Sequence, residues 1–251
     1  AVRVQVLVNS INHLLPAYGS TLDVERPSFQ KQGNDGDLRQ LVDELRAGKV
    51  QALIVCGMDL IHSLPNSDEL IEAVKKVPLV VSTADREDDF SVLAQFVCPD
   101  HHVLESWLDA EPVDGQLSLS QPLLQPLGQT RSLLESLSVW SGSGSGKTST
   151  ALELLQTHWR ETILPRAGDL PFQAFWDRSL HDGVVAVRPR GAPVGEFQSS
   201  AVELMPTSES TGWQLELYAR VGLPESRHAH NPWMQELPDP ITKTTRDNFV
   251  R

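Results

Sequence analysis

Apolar positions recur along this chain with two periods. In "VRVQVLVN" they fall at Val2, Val4, Val6 and Val8, and a period of two predicts a strand. "LRQLVDELRAGK" changes the period: Leu38, Leu41, Val42 and Leu45 share one face of a predicted helix, and Gly48 closes it. "VQALIVCG" (50–57) is a short continuous apolar run ending on Gly, as expected of a buried parallel strand. "SDELIEAVKK" predicts a helix with Ser67 as N-cap and Asp68 and Glu69 in its first turn. "VPLVVST" (77–83) predicts the next buried strand, and "REDDFSVLAQFV" another helix opened by acids. Strands and helices alternating at this spacing are the mark of βαβ units. Residues 36–100 are therefore expected to hold a parallel sheet with helices packed on both faces, a Rossmann-like α/β fold.

After Pro99 the periodicity fades. "DHHVLESWLDAEPVDGQLSLSQPLLQPLGQT" mixes Pro, Gly and apolar residues and predicts a long ordered excursion with short strands. Helices are expected in "TRSLLESLSVW", "TSTALELLQTHWRETIL" and "LPFQAFWDRSLHDG", and strands in "VVAVRP", "SSAVELMP" and "WQLELYARVG". From Pro224 the chain reads as a proline-rich extended tail. The organisation expected is an α/β core over 1–140, a Gly/Ser connector over 141–150, helices and strands of the same or a subsidiary lobe over 151–223, and the tail over 224–251.

Composition narrows the functions open to this chain. The net charge of -12 opposes binding to nucleic-acid backbones and anionic lipid, and suits a basic protein partner. Cys56 and Cys98 sit in apolar runs and predict buried free thiols, with a disulfide between them as the alternative. There is no C-x-x-C, so no zinc site or iron–sulfur cluster is expected in this segment. No apolar run is long enough to span a bilayer. The chain opens on Ala1 and stops at "RDNFVR", which reads as a piece of a longer protein.

Candidate chemistry gathers where the strands of an open α/β sheet end, the usual ligand position. Gly57, Met58 and Asp59 follow one predicted strand; Ser82, Thr83 and Asp85 follow the next. Two readings stand side by side: Gly57 turns the chain while the polar residues cap helices, or Asp59 and Asp85 contact a nucleotide. "CPDHHVLESW" adds Asp100, His101, His102 and Glu105, suited to hydrogen bonding, a substrate or cofactor contact, or a His101/Glu105 metal face at i and i+4. "HAHNPWMQELPDP" carries Trp233 as an apolar anchor on a tail that straps onto a surface.

"SVWSGSGSGKTST" (138–150) looks like a phosphate loop. Yet Ser141 stands where G-x-x-x-x-G-K-[ST] needs its first Gly, and the preceding residues have helical rather than strand spacing. The stretch reads as a helix–helix connector, with Thr148 or Ser149 as the next N-cap. Nucleotide binding is the remote alternative.

The run from "VQALIVCGMDLIHSLPNSDELIEAVKKVPLVVSTADREDDFSVLAQFVCPDHHVLESW" to "TRSLLESLSVWSG" resembles the molybdopterin oxidoreductase superfamily of the dimethyl sulfoxide reductase type. With "AYGSTLDVERPSFQKQG" and the tail "HNPWMQELPDPITKTTRDNFV", it is most similar to the molybdopterin-like, iron–sulfur large subunit of bacterial alternative complex III. The resemblance implies part of a respiratory quinol:acceptor oxidoreductase, with partner subunits in a membrane-bound complex on the periplasmic side. In cofactor-binding relatives the turn after the first of these strands is G-x-N-P; here it is Gly57-Met58-Asp59-Leu60, and Asp59 would repel a pyrophosphate. Asp85 matches the acidic residue that contacts guanosine. If molybdopterin guanine dinucleotide were retained, Gly57, Asp59, Ser82, Asp85, His101, His102 and Glu105 would contact it. The expectation is no cofactor and no catalytic residue in this segment, with the clusters in a following ferredoxin-like part. The alternative is a fragment of a catalytic bis-pterin molybdenum enzyme.

Overall fold

The computed structural model describes residues 2–64, 66–142, 149–191, 195, 197–203, 212, 222, 231–240 and 242–245. In chain order the helices are α1 (Val2–Leu14), α2 (Asp35–Arg46), α3 (Leu60–Ser63), α4 (Ser67–Val74), α5 (Leu133–Trp140), α6 (Ala151–His158), α7 (Leu164–Ala167), α8 (Phe172–Asp182), α9 (Ser200–Glu203) and α10 (Pro232–Glu236). The strands are β1 (Ala52–Val55), β2 (Leu79–Ser82), β3 (Phe96–Val97), β4 (Leu108–Val113), β5 (Gln116–Ser120) and β6 (Val184–Ala186). The architecture is mixed α/β. Its residues divide into two compact units, one of 1–32, 107–121 and 152–214, the other of 33–106, 122–151 and 215–251.

The second unit holds the expected parallel sheet, in the order β1-β2-β3. Register pairs Leu53 with Val80, Val55 with Ser82, and Ser82 with Val97, so these side chains share one face. Leu53, Val55 and Val80 on that face enter a core with Leu45 of α2, Leu60 and Ile61 of α3, and Leu70, Ala73 and Val74 of α4. That cluster lies on one face; on the opposite face Val81 is buried at the centre while Ile54, Leu79 and Phe96 are exposed. Helix α2 starts at Asn34, whose side chain accepts from the Gly36 amide. It closes as its glycine predicts, with the Gly48 and Lys49 amides donating to Leu45 and Glu44 carbonyls. The N-cap of α4 is Asn66, not Ser67, which is already helical; Asp68 and Glu69 do lie in its first turn.

"REDDFSVLAQFV" is not a helix. Asp88 and Ser91 bond reciprocally, each side chain taking the other's amide (2.7 and 2.8 Å), and close a single 3-10 turn at Ser91–Leu93. Gln95 then joins the sheet: its N–H donates to the Val80 carbonyl, and its Oε1 accepts the Val80 amide. Sheet pairing thus overrides the helical spacing of Phe90, Leu93 and Ala94.

The first unit carries an antiparallel sheet, β4-β5-β6, with Leu117 facing Val185 and Asp109 facing Leu119. The excursion after Pro99 thus holds the short strands expected of it. Leu117 and Leu119 enter a core with Leu155, Trp159, Ile163, Phe175, Trp176 and Val187. Helices α6 and α7 run on through a π-helical turn, Trp159–Ile163. Pro165 follows this turn and has no N–H to donate, which a widened turn accommodates.

Residues 2–14 are helical, against the strand predicted from the alternating valines. Val4, Leu7, Val8, Ile11 and Leu14 also fit the helical period, and Gln5 Nε2 donates to Asn9 Oδ1 one turn on (2.9 Å). A helix satisfies its own backbone, whereas a strand needs a partner edge. "SSAVELMP" is likewise helical over Ser200–Glu203, its last residues lying outside those described. "WQLELYARVG" lies outside them apart from Gly222. The tail is not simply extended: Pro232 opens α10, and Asn231 Oδ1 accepts the Trp233 and Met234 amides.

Gly115 turns the β4–β5 hairpin at φ +82°, and a Cβ there would sit 2.7 Å from the Val187 carbonyl oxygen. Gly115→Ala is therefore expected to cost more than the roughly 1 kcal/mol of a left-handed non-Gly residue alone. Urea unfolding that shows no loss would contradict this packing.

Candidate functional site

The C-terminal ends of β1, β2 and β3 lie in register, and each is followed by one of the predicted polar clusters. After β1, Gly57 takes φ +68° and turns the chain, a conformation open to a residue without Cβ. Asp59 then caps α3. Its Oδ1 accepts the Ile61 and His62 amides, both at 3.0 Å, and its Oδ2 accepts the Asp89 amide at 3.2 Å. One carboxylate thus closes a helix start and ties the loop after β1 to the loop after β2. Asp59→Ala is expected to destabilise this unit by about 1 kcal/mol, and Asp59→Asn by less. Thermal unfolding of both variants checks the order.

After β2, Ser82 is buried and its hydroxyl accepts the Ala84 amide. Thr83 continues the ladder, donating to the Val55 carbonyl (3.1 Å) and accepting from the Asp100 amide (3.3 Å). Asp85 is bound by the neighbouring Arg86 through Nε (3.0 Å) and Nη2 (3.1 Å). That charge-assisted bond holds the Asp85 carboxyl below its ordinary range.

After β3, Asp100 Oδ1 accepts two amides, His101 and Leu133, both at 2.8 Å, and so fixes the first residue of α5 to this rim. His102 and Glu105 form a capping box around a 3-10 turn, Val103–Glu105: His102 Nδ1 accepts the Leu104 amide, and Glu105 Oε2 accepts the His102 amide. For that bond the His102 ring must be neutral, with its proton on Nε2. The other oxygen of Glu105 accepts the Leu127 amide at 3.0 Å. The Leu127 and His102 amides together hold the Glu105 carboxyl below its ordinary range.

The predicted residues are thus brought to one rim, but as backbone caps and ties. The His101/Glu105 helical face does not form, because Glu105 sits in a 3-10 turn and turns back to the His102 amide. Among the described residues no group of three or more His, Cys, Asp and Glu is arranged to hold a metal ion. Cys56 is exposed and Cys98 half-buried, against the buried thiols expected. They follow Val55 and Val97, which flank Ser82 across β2. Strands two places apart put their Cα atoms about 10 Å apart, and a disulfide needs less than about 7 Å.

The residues fit a molybdopterin guanine dinucleotide poorly. Its pyrophosphate needs free donors at the first strand–helix turn, and there the Ile61 and His62 amides already hold the Asp59 carboxylate. Arg86, the cation after β2, is engaged by Asp85.

The Gly/Ser loop leaves helix α5, not a strand, and residues 143–148 lie outside those described. A phosphate loop's amides converge only when a strand delivers them to a helix start. The helix that follows begins at Ala151, so Ser149 is not its cap; Glu135 Oε1 accepts the Ala151 amide at 2.8 Å. Thr148 lies outside the described residues. No described helix is long and apolar enough to cross a membrane.

A densely bonded polar cluster among the described residues was not legible in the sequence. Asp114 is 1% exposed in the β4–β5 turn. Its carboxylate accepts the Arg190 and Gly191 amides (3.0 and 2.9 Å) and Arg166 Nη2 (3.1 Å). Glu111 takes Arg166 through both oxygens (2.7 and 3.2 Å), the Gly115 amide, and Arg190. The only sign in the sequence is charge in "DAEPVDG" and "RPRG", about 75 residues apart, with no spacing rule to link them. This cluster welds the hairpin to the segment after β6.

A comparison with known protein families finds no match, and a comparison with curated proteins finds none either.

Proposed function

We propose that this chain is a structural and docking part of a respiratory quinol:acceptor electron-transfer complex, built on a Rossmann-like, molybdopterin-oxidoreductase-type framework and holding no cofactor of its own. The motif resemblance supplies the family. The observation that carries the absence of cofactor chemistry is Asp59: its carboxylate fills the amides where a dinucleotide's phosphates would sit. Asp85 in turn neutralises the cation after β2. In this reading the rim's polar residues hold loops together, and the parent complex carries its electrons through centres outside this segment, on the periplasmic side of the membrane.

The test is molybdenum by mass spectrometry and pterin by its fluorescent oxidation product, both on the full-length purified protein. Neither should reach stoichiometry with the chain. Stoichiometric molybdenum with pterin would overturn this reading in favour of a catalytic bis-pterin enzyme.

A further inference from the structure

The capping box at the sheet rim has a second consequence. Leu104 lies within it, and its carbonyl accepts the amides of both Leu123 (2.8 Å) and Leu124 (3.0 Å). Glu105 accepts the Leu127 amide. These bonds bring "VL" at 103–104 together with the leucines of "PLLQPL", and all five side chains face solvent. Leu123 is 76% and Leu127 89% exposed, while Val103, Leu104 and Leu124 are each more than 40% exposed.

Apolar residues exposed one at a time are ordinary. A contiguous group held on pinned backbone is not, because such a surface docks with little ordering cost. Charge selects the occupant. Asp85, Glu87, Asp88 and Asp89 follow β2 on the same rim, and Glu105 anchors the patch itself. Arg86 is bound to Asp85, and Arg131 is the nearest following cation in sequence. A second copy would set this acidic border against itself across a two-fold axis. An anionic lipid surface would be repelled by the border and by the net charge of -12.

We propose that Val103, Leu104, Leu123, Leu124 and Leu127 form the docking surface for a different protein subunit whose contact face has an apolar centre and a Lys/Arg rim. The proposal rests on reading this chain as a docking part of a larger complex.

The experiment places a photo-cross-linker at one leucine, Leu124→p-benzoylphenylalanine, in the full-length protein within its native membrane complex. Irradiation followed by peptide mapping should give an adduct with another subunit, on a peptide where apolar residues are flanked by Lys or Arg. A companion variant, Leu123→Asp with Leu127→Asp, alters only exposed side chains. Retention of that same subunit should fall by about tenfold or more while the thermal midpoint is unchanged. Adducts confined to the chain itself, to a second copy, to lipid, or to a peptide without basic residues overturn the proposal. So does a folded double variant that keeps the subunit. Molybdenum content is read separately. A molybdenum-bearing chain that still cross-links to a basic-rimmed subunit overturns the cofactor-free reading alone, and a molybdenum-free chain whose cross-links stay internal overturns the docking surface alone.

Discussion

Asp114→Ala should lower the stability of the unit containing the antiparallel sheet by about 3–5 kcal/mol, the usual cost of removing one member of a buried ion cluster. The carboxylate is almost fully buried and serves two backbone amides and Arg166. Without it the Arg190 and Gly191 amides lose their acceptor, and Arg166 keeps Glu111 as its one carboxylate. Asp114→Asn retains an oxygen for one amide but loses the charge, so its loss should be smaller. Urea unfolding followed by the fluorescence of Trp159 and Trp176 reads the difference. A loss below about 1 kcal/mol for the alanine variant would sink the assignment of this cluster as the weld.

The same cluster sets an acid limit. Burial pushes the Asp114 carboxyl up, but the Arg190 and Gly191 amides and the Arg166 and Arg190 charges outweigh it and leave the group below its ordinary range. Glu111 behaves alike: burial raises it, and Arg166, the Gly115 amide and Arg190 bring it below. A carboxyl with a depressed folded pKa stabilises the fold above its unfolded pKa and loses that contribution as pH falls through the folded value. Stability from this pair should therefore be intact at neutral pH and drain away below roughly pH 4, where unfolded carboxyls take up protons. The pH dependence should be shallower in Asp114→Ala. An equally steep profile in the variant would place the acid-sensitive groups elsewhere.

Trp159→Ala is the second large effect expected, again about 3–5 kcal/mol, because it empties the centre of the Leu117–Trp176 core. Trp159 is fully buried, meets Trp176 edge-on with centroids 5.6 Å apart, and lies 5.8 Å from Phe175. Its ring N–H donates to Asp109 Oδ2 at 2.8 Å. Trp159→Phe keeps most of the apolar volume and loses that bond, so it should fall between wild type and alanine. If the two variants unfold at the same urea concentration, the hydrogen bond rather than the packing holds this core.

Much of the second unit was legible. Leu38, Leu41, Val42 and Leu45 announced α2, and the runs at 50–57 and 77–83 announced paired parallel strands. Both signals are local, for an apolar stripe and a continuous apolar run leave their period in neighbouring residues. The candidate rim was also legible as a set of positions, since loops after parallel strands meet at one edge. What those residues do there was not. Asp59 is equally suited by type to meet a ligand or to cap a helix, and only its distances to Ile61, His62 and Asp89 decide.

By itself, then, the sequence determined a mixed α/β chain with parallel strands at 50–57 and 77–83, an acidic composition, and a Gly/Ser stretch between two helices. Tertiary structure decided whether Val2–Val8 is strand or helix, whether Phe96 and Val97 leave a helix for the sheet, and whether residues 116–120 pair with 184–186. It also decided that Asp114 meets Arg166 and that Leu104 meets Leu123. Helices close on hydrogen bonds a few residues away, so their period is written locally. Sheet partners, ion clusters and surface patches join residues far apart in the chain, and their positions exist only once it has folded.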